Sequence, residues 1–149
     1  MDEETWKRHA NPLSVWTRMP IYPALILAVW SRRWIGWWSL LPITLVVVWT
    51  WLNPRIFSPP DSTDNWASKA VLGEKIWLEL DAYPEDGHWF LPTALNVIYL
   101  GGVLLLAWGL YVFRIWSTVF GATISFLAKL WFVDRMVWLY ERNDQDPNT

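Results

Sequence analysis

The stretch from Trp34 to Pro54 reads WIGWWSLLPITLVVVWTWLNP, and it constrains the chain more than any other feature. Its five tryptophans, Trp34, Trp37, Trp38, Trp49 and Trp51, lie towards the two ends, with no charged residue between them. Trp37 and Trp49 would stand roughly 18 Å apart along a helix axis. About 19 uncharged residues with aromatic girdles at both ends read as a transmembrane helix, because indole rings settle where one edge is apolar and the other wet. Pro42 is expected to kink that helix. The competing reading is a buried helix in a soluble core. Composition favours the membrane: 54% of the 149 residues are apolar and 15 are tryptophan, against about 45–50% apolar and far less tryptophan in average soluble chains.

Two further spans follow. Pro92 to Phe113 is uncharged, and Ile115 to Val133 holds one charge, Lys129. Only Arg114 separates them in charge, so a tight antiparallel hairpin is expected. The first segment is harder to read. Pro20 to Trp30 is too short to cross, since a crossing needs about 17–25 residues. Extending it back to Leu13 restores the length but includes Arg18, which can snorkel to the headgroups. A full crossing is favoured over a re-entrant segment.

Between the second and third spans lies a polar connection, residues 53–91. Pro54, Pro59 and Pro60 are expected to stop the preceding helix. Trp66, Ala70, Gly73, Trp77 and Leu80 then share one helical face, predicting an amphipathic helix at about 65–80 that lies on the membrane surface or against the bundle. Asp81 to Trp89 reads as a turn and the last residues as a frayed tail.

The expected fold is therefore an all-α membrane protein in one domain, residues 1–149. It has four hydrophobic segments, at about 13–30, 34–52, 92–113 and 115–133, and one interfacial helix. Counting Lys and Arg over the N-terminus, the long connection and the C-terminus puts both termini in the cytoplasm; the short Ser31-Arg32-Arg33 turn argues the opposite by density.

Function classes narrow by what is missing. A net charge of −2 without a basic stripe argues against nucleic acid. The chain lacks cysteine, which excludes disulfides and thiolate metal sites. An acidic N-terminus without an apolar core gives no sign of a cleavable signal peptide. His9 and His88 stand alone, and no nucleophile elbow, metal-ligand pair or phosphate motif occurs. The four spans hold no Asp, Glu or His, which counts against ion-coupled transport.

Three positive features remain. Ser117, Gly121 and Ser125 recur every four residues on the last span. Gly102 and Gly109 on the third span are candidate facing positions. This small-residue stripe permits close helix approach, either within the hairpin or to another subunit, and packing inside the hairpin is preferred. Lys129 continues the stripe. It lies near the end of its span, where it can snorkel, and its candidate partners are Glu74 or Asp64 if the connection folds back.

The motifs Trp6-Lys7-Arg8-His9-Ala10-Asn11-Pro12, Asn53 to Pro60, and Trp66 through Gly73-Glu74-Lys75 carry a resemblance. Together with Trp131 to Glu141 they resemble a family of small prokaryotic integral membrane proteins of unknown function. The resemblance implies a membrane protein of this size in bacteria or archaea. It implies no activity, so no functional residue is carried over. His9, Arg55, Asp64, Glu74 and Arg135 fall on one expected side of the membrane. They are candidates for a polar interaction cap centred on Arg55, Glu74 and Arg135.

The expected role is non-catalytic: an accessory or assembly subunit of a larger membrane complex. No catalytic residue, metal or required cofactor is expected, though lipid, quinone or pigment could meet the exposed tryptophans. Expected partners are membrane lipids and other membrane subunits or further copies of the chain. The alternatives are a small homo-oligomeric transporter or channel, with Asn96, Thr118, Thr123 and Lys129 as pore candidates, and a lipid-modifying enzyme using His9 or Glu74.

Overall fold

A computed structural model describes residues 3–79 and 90–145. His88, Leu80, the expected turn at 81–89 and the tail from residue 146 lie outside the described residues. Every regular element among the described residues is helical. Among the described residues, three stretches are long and apolar enough to cross a membrane: Pro12–Ile56, Phe90–Val112 and Ile115–Asn143. The chain divides into two compact units, residues 1–71 and 72–149.

The first unit opens with α1, Glu3–His9, and α2, Pro12–Arg18. α3, Ile21–Trp30, follows after a break at Met19-Pro20. A short α4, Arg32–Ile35, and a 3₁₀ turn, Gly36–Ser39, lead into α5, Leu40–Ile56. Gly36 sits at φ 55°, a backbone conformation that side chains disfavour. It reverses the chain there. α5 packs back against α1, α2 and α3, so the 45-residue apolar stretch is a hairpin rather than one rod. The hairpin supplies the first and second hydrophobic segments. Its first arm, Pro12 to Trp30, reaches at most about 28 Å, close to a bilayer's hydrocarbon thickness.

Both expectations about proline in this hairpin need correction. Pro42 occupies the first turn of α5, where its missing N–H would have had no helical partner, so it sits at an end and not at a kink. Pro54 lies inside α5, which runs on to Ile56. One proline in a last turn forfeits a single hydrogen bond. The Arg55 guanidinium donates to the Trp51 carbonyl in this last turn. The helix stops at Phe57, which is extended at ψ 141°.

α6, Trp66–Glu79, begins in the first unit and continues into the second. Its start is capped by Asn65, whose side-chain oxygen accepts from the Ser68 N–H at 2.9 Å. Of the face expected to meet the membrane surface or the bundle, Ala70 and Gly73 are buried and Trp66 and Trp77 are half-buried. The neighbouring Ala67, Ser68 and Val71 are also buried, whereas Leu78 is exposed.

The second unit is built on α7, Phe90–Val112, and α8, Ile115–Gln145. α7 ends in a Schellman turn: the Arg114 N–H donates to the Gly109 carbonyl at 2.9 Å, and Phe113 adopts φ 55°. The two helices then run antiparallel. A Cβ on Gly109 would meet Thr118 N at 2.5 Å, one on Gly121 would meet Leu106 N at 2.3 Å, and one on Gly102 would meet Ser125 N at 2.6 Å. Each step back along α7 is matched by a step forward along α8, as in the expected hairpin. The seam closes on Leu95, Phe132 and Met136, with Trp77 and Leu91 packed against them. α8 continues well past Val133, where the last span was expected to end, to Gln145.

Candidate functional site

The polar residues singled out in the sequence are distributed over both units, and most bind other parts of the chain. In the first unit they tie helix ends to loops. Asn11 caps α2 by accepting from the Leu13 N–H at 2.9 Å, and its amide donates to the Ser58 carbonyl at 2.8 Å. Asn53 is wholly buried on α5. It accepts from Ser14 Oγ at 2.8 Å and donates to Thr17 Oγ1 at 2.7 Å. Buried Ser68 donates to the Ala10 carbonyl at 2.6 Å. Each of these groups would cost free energy if buried without a partner, so the bonds specify how the hairpin closes.

His9 is half-buried beside Arg18. The guanidinium lies against the imidazole, with Nη1 3.0 Å from Nδ1, and donates to the His9 carbonyl at 3.3 Å. Arg18 Nε also donates to the Ser14 carbonyl at 3.0 Å. Arg18 therefore turns back onto its own unit. Trp6 meets His9 edge-on at 5.9 Å. Arg55 lies over the Trp51 ring at 4.2 Å, and its carbonyl accepts from Arg8 at 3.4 Å. Asp64 pairs with Lys69 at 2.9 Å.

In the second unit, Glu74 and Lys129 come together. Glu74 Oε1 lies 2.8 Å from Lys129 Nζ, although 55 residues separate them in the chain. Lys129 also stands 4.6 Å from the centre of the Phe132 ring. The side chains are 41% and 30% exposed for Lys129 and Glu74. This replaces the simple snorkelling lysine: the charge on the last apolar helix is neutralised within the chain. Gly73 makes the meeting possible, because α6 touches the α8 backbone at Met136 with no side chain between them. Arg135 bonds its neighbour Asp134 at 3.2 Å.

The small residues of the last span are divided by the packing. Gly121 and Ser125 face α7, joined by Thr118 rather than Ser117, which is only half-buried. Ser125 Oγ bonds the Gly121 carbonyl at 2.6 Å, and Thr118 Oγ1 bonds the Arg114 carbonyl at 2.9 Å. The stripe, with Gly102 and Gly109 opposite, is thus consumed inside the hairpin.

Ser14, Thr17 and Ser68 were not among the expected functional residues, whereas Asn65 was counted with the expected polar cap. In the structure Asn65 instead caps α6. Ser14 and Thr17 carried no local signal, because their partner Asn53 is more than thirty residues away. Among the described residues no group of three His, Asp or Glu is placed to hold a metal ion.

These features define an all-helical protein with apolar stretches of membrane-crossing length and polar groups tied largely to its own chain. Over residues 1–148 the sequence matches DUF6653, a family of unknown function, and the chain belongs to that family. The match extends the resemblance carried by the motifs to nearly the whole chain. No curated protein and no solved structure matches it.

Proposed function

We propose that the chain is a non-catalytic integral membrane protein, an accessory or assembly subunit of a larger membrane complex. One observation carries this reading: its outward surface is apolar and aromatic, while its polar groups mostly bond within the chain. Leu104, Trp108 and Tyr111 on α7, and Trp116, Phe120 and Leu127 on α8, are all exposed. Exposed apolar surface on this scale suits lipid and other membrane helices. By this reading the protein sits in the cytoplasmic membrane of a bacterium or archaeon with both termini cytoplasmic. Its partners are lipids and other subunits, and lipid, quinone or pigment are the ligands such a surface would accept. The contacts to partners are assigned to His9, Arg55 and Asp64 in the first unit and, separately, to Glu74 and Arg135 in the second.

The channel alternative draws less support. Thr118 is buried and bonded, and Lys129 is paired. That leaves Asn96 and Thr123 as the exposed pore candidates. Native mass spectrometry of the tagged protein, extracted gently from its own host, tests the proposal. Larger co-purifying subunits are expected. A closed homo-oligomer with nothing else bound would favour the channel, and a monomer carrying only lipid would favour an enzyme using His9 or Glu74.

A further inference from the structure

Asn96 carries an amide on the outside of an apolar helix. It stands six residues past Phe90, the start of α7, and so roughly 9 Å along the helix axis. Its side chain is exposed, and among the described residues its amide makes no hydrogen bond. By contrast, Thr118 and Ser125 on α8 bond carbonyls of their own helix, and Lys129 is paired with Glu74. An amide that faces hydrocarbon without a partner is costly, because lipid tails offer nothing in place of water. Leu100, Val103 and Ala107 follow Asn96 at spacings of four, three and four, so the four residues share one stripe of the helix. Leu100 and Ala107 are exposed and Val103 is half-buried. The buried side of α7 is a different one, and it is used against α8.

We infer that this stripe is the contact between two copies of the chain, with Asn96 bonded to Asn96 across a two-fold axis. A carboxamide both donates and accepts, so it is its own complement. Copies inserted in the same direction are related by an axis along the membrane normal. Their α7 helices then run parallel and hold equivalent residues at equal depth, which brings the two amides together. A single asparagine in a seam fixes the register of parallel coiled coils in the same way. Leu100, Val103 and the small Ala107 supply the packing beside it, and packing with interhelical hydrogen bonds drives association in lipid. Two helices in contact leave no pore between them, so the pair is a unit of assembly.

This inference rests on the membrane reading, and it is tested in native membranes. The chain has no cysteine, so a single introduced cysteine reports its own neighbour. Under mild oxidation, Leu100→Cys and Ala107→Cys are expected to form disulfide-linked dimers. Ile98→Cys, exposed at a similar depth but on another side of α7, is expected to do so far less. Adding Asn96→Leu to Leu100→Cys should lower the dimer yield roughly fivefold, in line with one lost interhelical hydrogen bond, whereas Asn96→Gln keeps most of it. Equal yields at 98 and 100, no dimer at either stripe position, or a yield indifferent to Asn96→Leu would overturn the contact. A disulfide to a different protein would assign the stripe to another subunit and also overturn it. The comparison of cysteine positions keeps the Asn96 amide, so it decides the matter even if Asn96→Leu fails to accumulate. Carbonate extraction is the separate check: a wild-type chain released by carbonate would overturn the membrane reading itself, whereas a retained chain without stripe dimers overturns only the pairing.

Discussion

Gly73 presses directly on Met136: a Cβ added to Gly73 would lie 1.9 Å from the Met136 carbonyl oxygen. The obstacle is backbone, which cannot swing aside as a side chain does. This approach lets α6 lie on α8 closely enough for Glu74, the next residue, to reach Lys129.

Gly73→Ala is therefore expected to destabilise the protein by about 1–3 kcal/mol or more, the usual range for overpacking. Gly101→Ala is the matched control, since nothing lies within 4 Å of a Cβ there. That control should be neutral or stabilising by up to about 1 kcal/mol through helix propensity. Thermal unfolding in detergent, followed by circular dichroism, compares the two. Equal melting temperatures would contradict the close approach of α6 to α8.

Gly121→Val should be more damaging than Ser117→Val. The first forces a branched side chain into the Leu106 backbone, whereas the second modifies a half-buried position. Because close backbone approach drives helix association in lipid, Gly121→Val should also leave the α7–α8 hairpin open to protease near Arg114. Limited proteolysis of both variants reads this directly. A hairpin that resists cleavage equally in each would show that the seam lies elsewhere.

The Glu74–Lys129 pair should appear as coupling. Glu74→Gln and Lys129→Met each leave one charge without its partner, and the double variant removes both. The double change is expected to cost less than the sum of the singles, by about 1 kcal/mol or more. The two side chains are partly exposed, so the coupling belongs at the lower end of what buried pairs give. Additive losses across the four proteins would mean that the two residues do not interact.

Asn53→Ala removes a buried amide that bonds both Ser14 and Thr17. The expected loss is about 1–3 kcal/mol, because the Ser14 hydroxyl is left in a buried site without its acceptor. Asn65→Ala, which strips the cap of α6, should cost about 1 kcal/mol. Melting curves that rank Asn65→Ala as the worse variant would show that the Asn53 clamp contributes little.

Much of the architecture was legible along the chain because helices are local objects. Uncharged runs, tryptophans at their ends and one face of small residues are all written within a few turns of each other. That locality is why the α7–α8 hairpin and the start of α6 are where the pattern predicts them. Local rules also misjudge helix ends. Pro42 reads as a kink and Pro54 as a stop only if their place in the helix is ignored: one falls in the first turn of α5 and the other in its last. The end of α8 was missed for a related reason: charge at Asp134 and Arg135 marks where an apolar run stops, whereas a helix continues for as long as its backbone bonds do.

By itself, the sequence determined that the chain is helical and that its apolar stretches match a membrane's thickness. Only the tertiary structure decided who pairs with whom. Glu74 finds Lys129 and Asn53 finds Ser14 across long stretches of chain, and nothing local to either residue specifies the partner. The reason is physical. A backbone hydrogen bond in a helix is made between near neighbours, whereas a buried polar side chain is satisfied only once distant segments have closed on each other. The contacts that permit closure are glycines pressed against backbone, and their partners exist only in the folded chain.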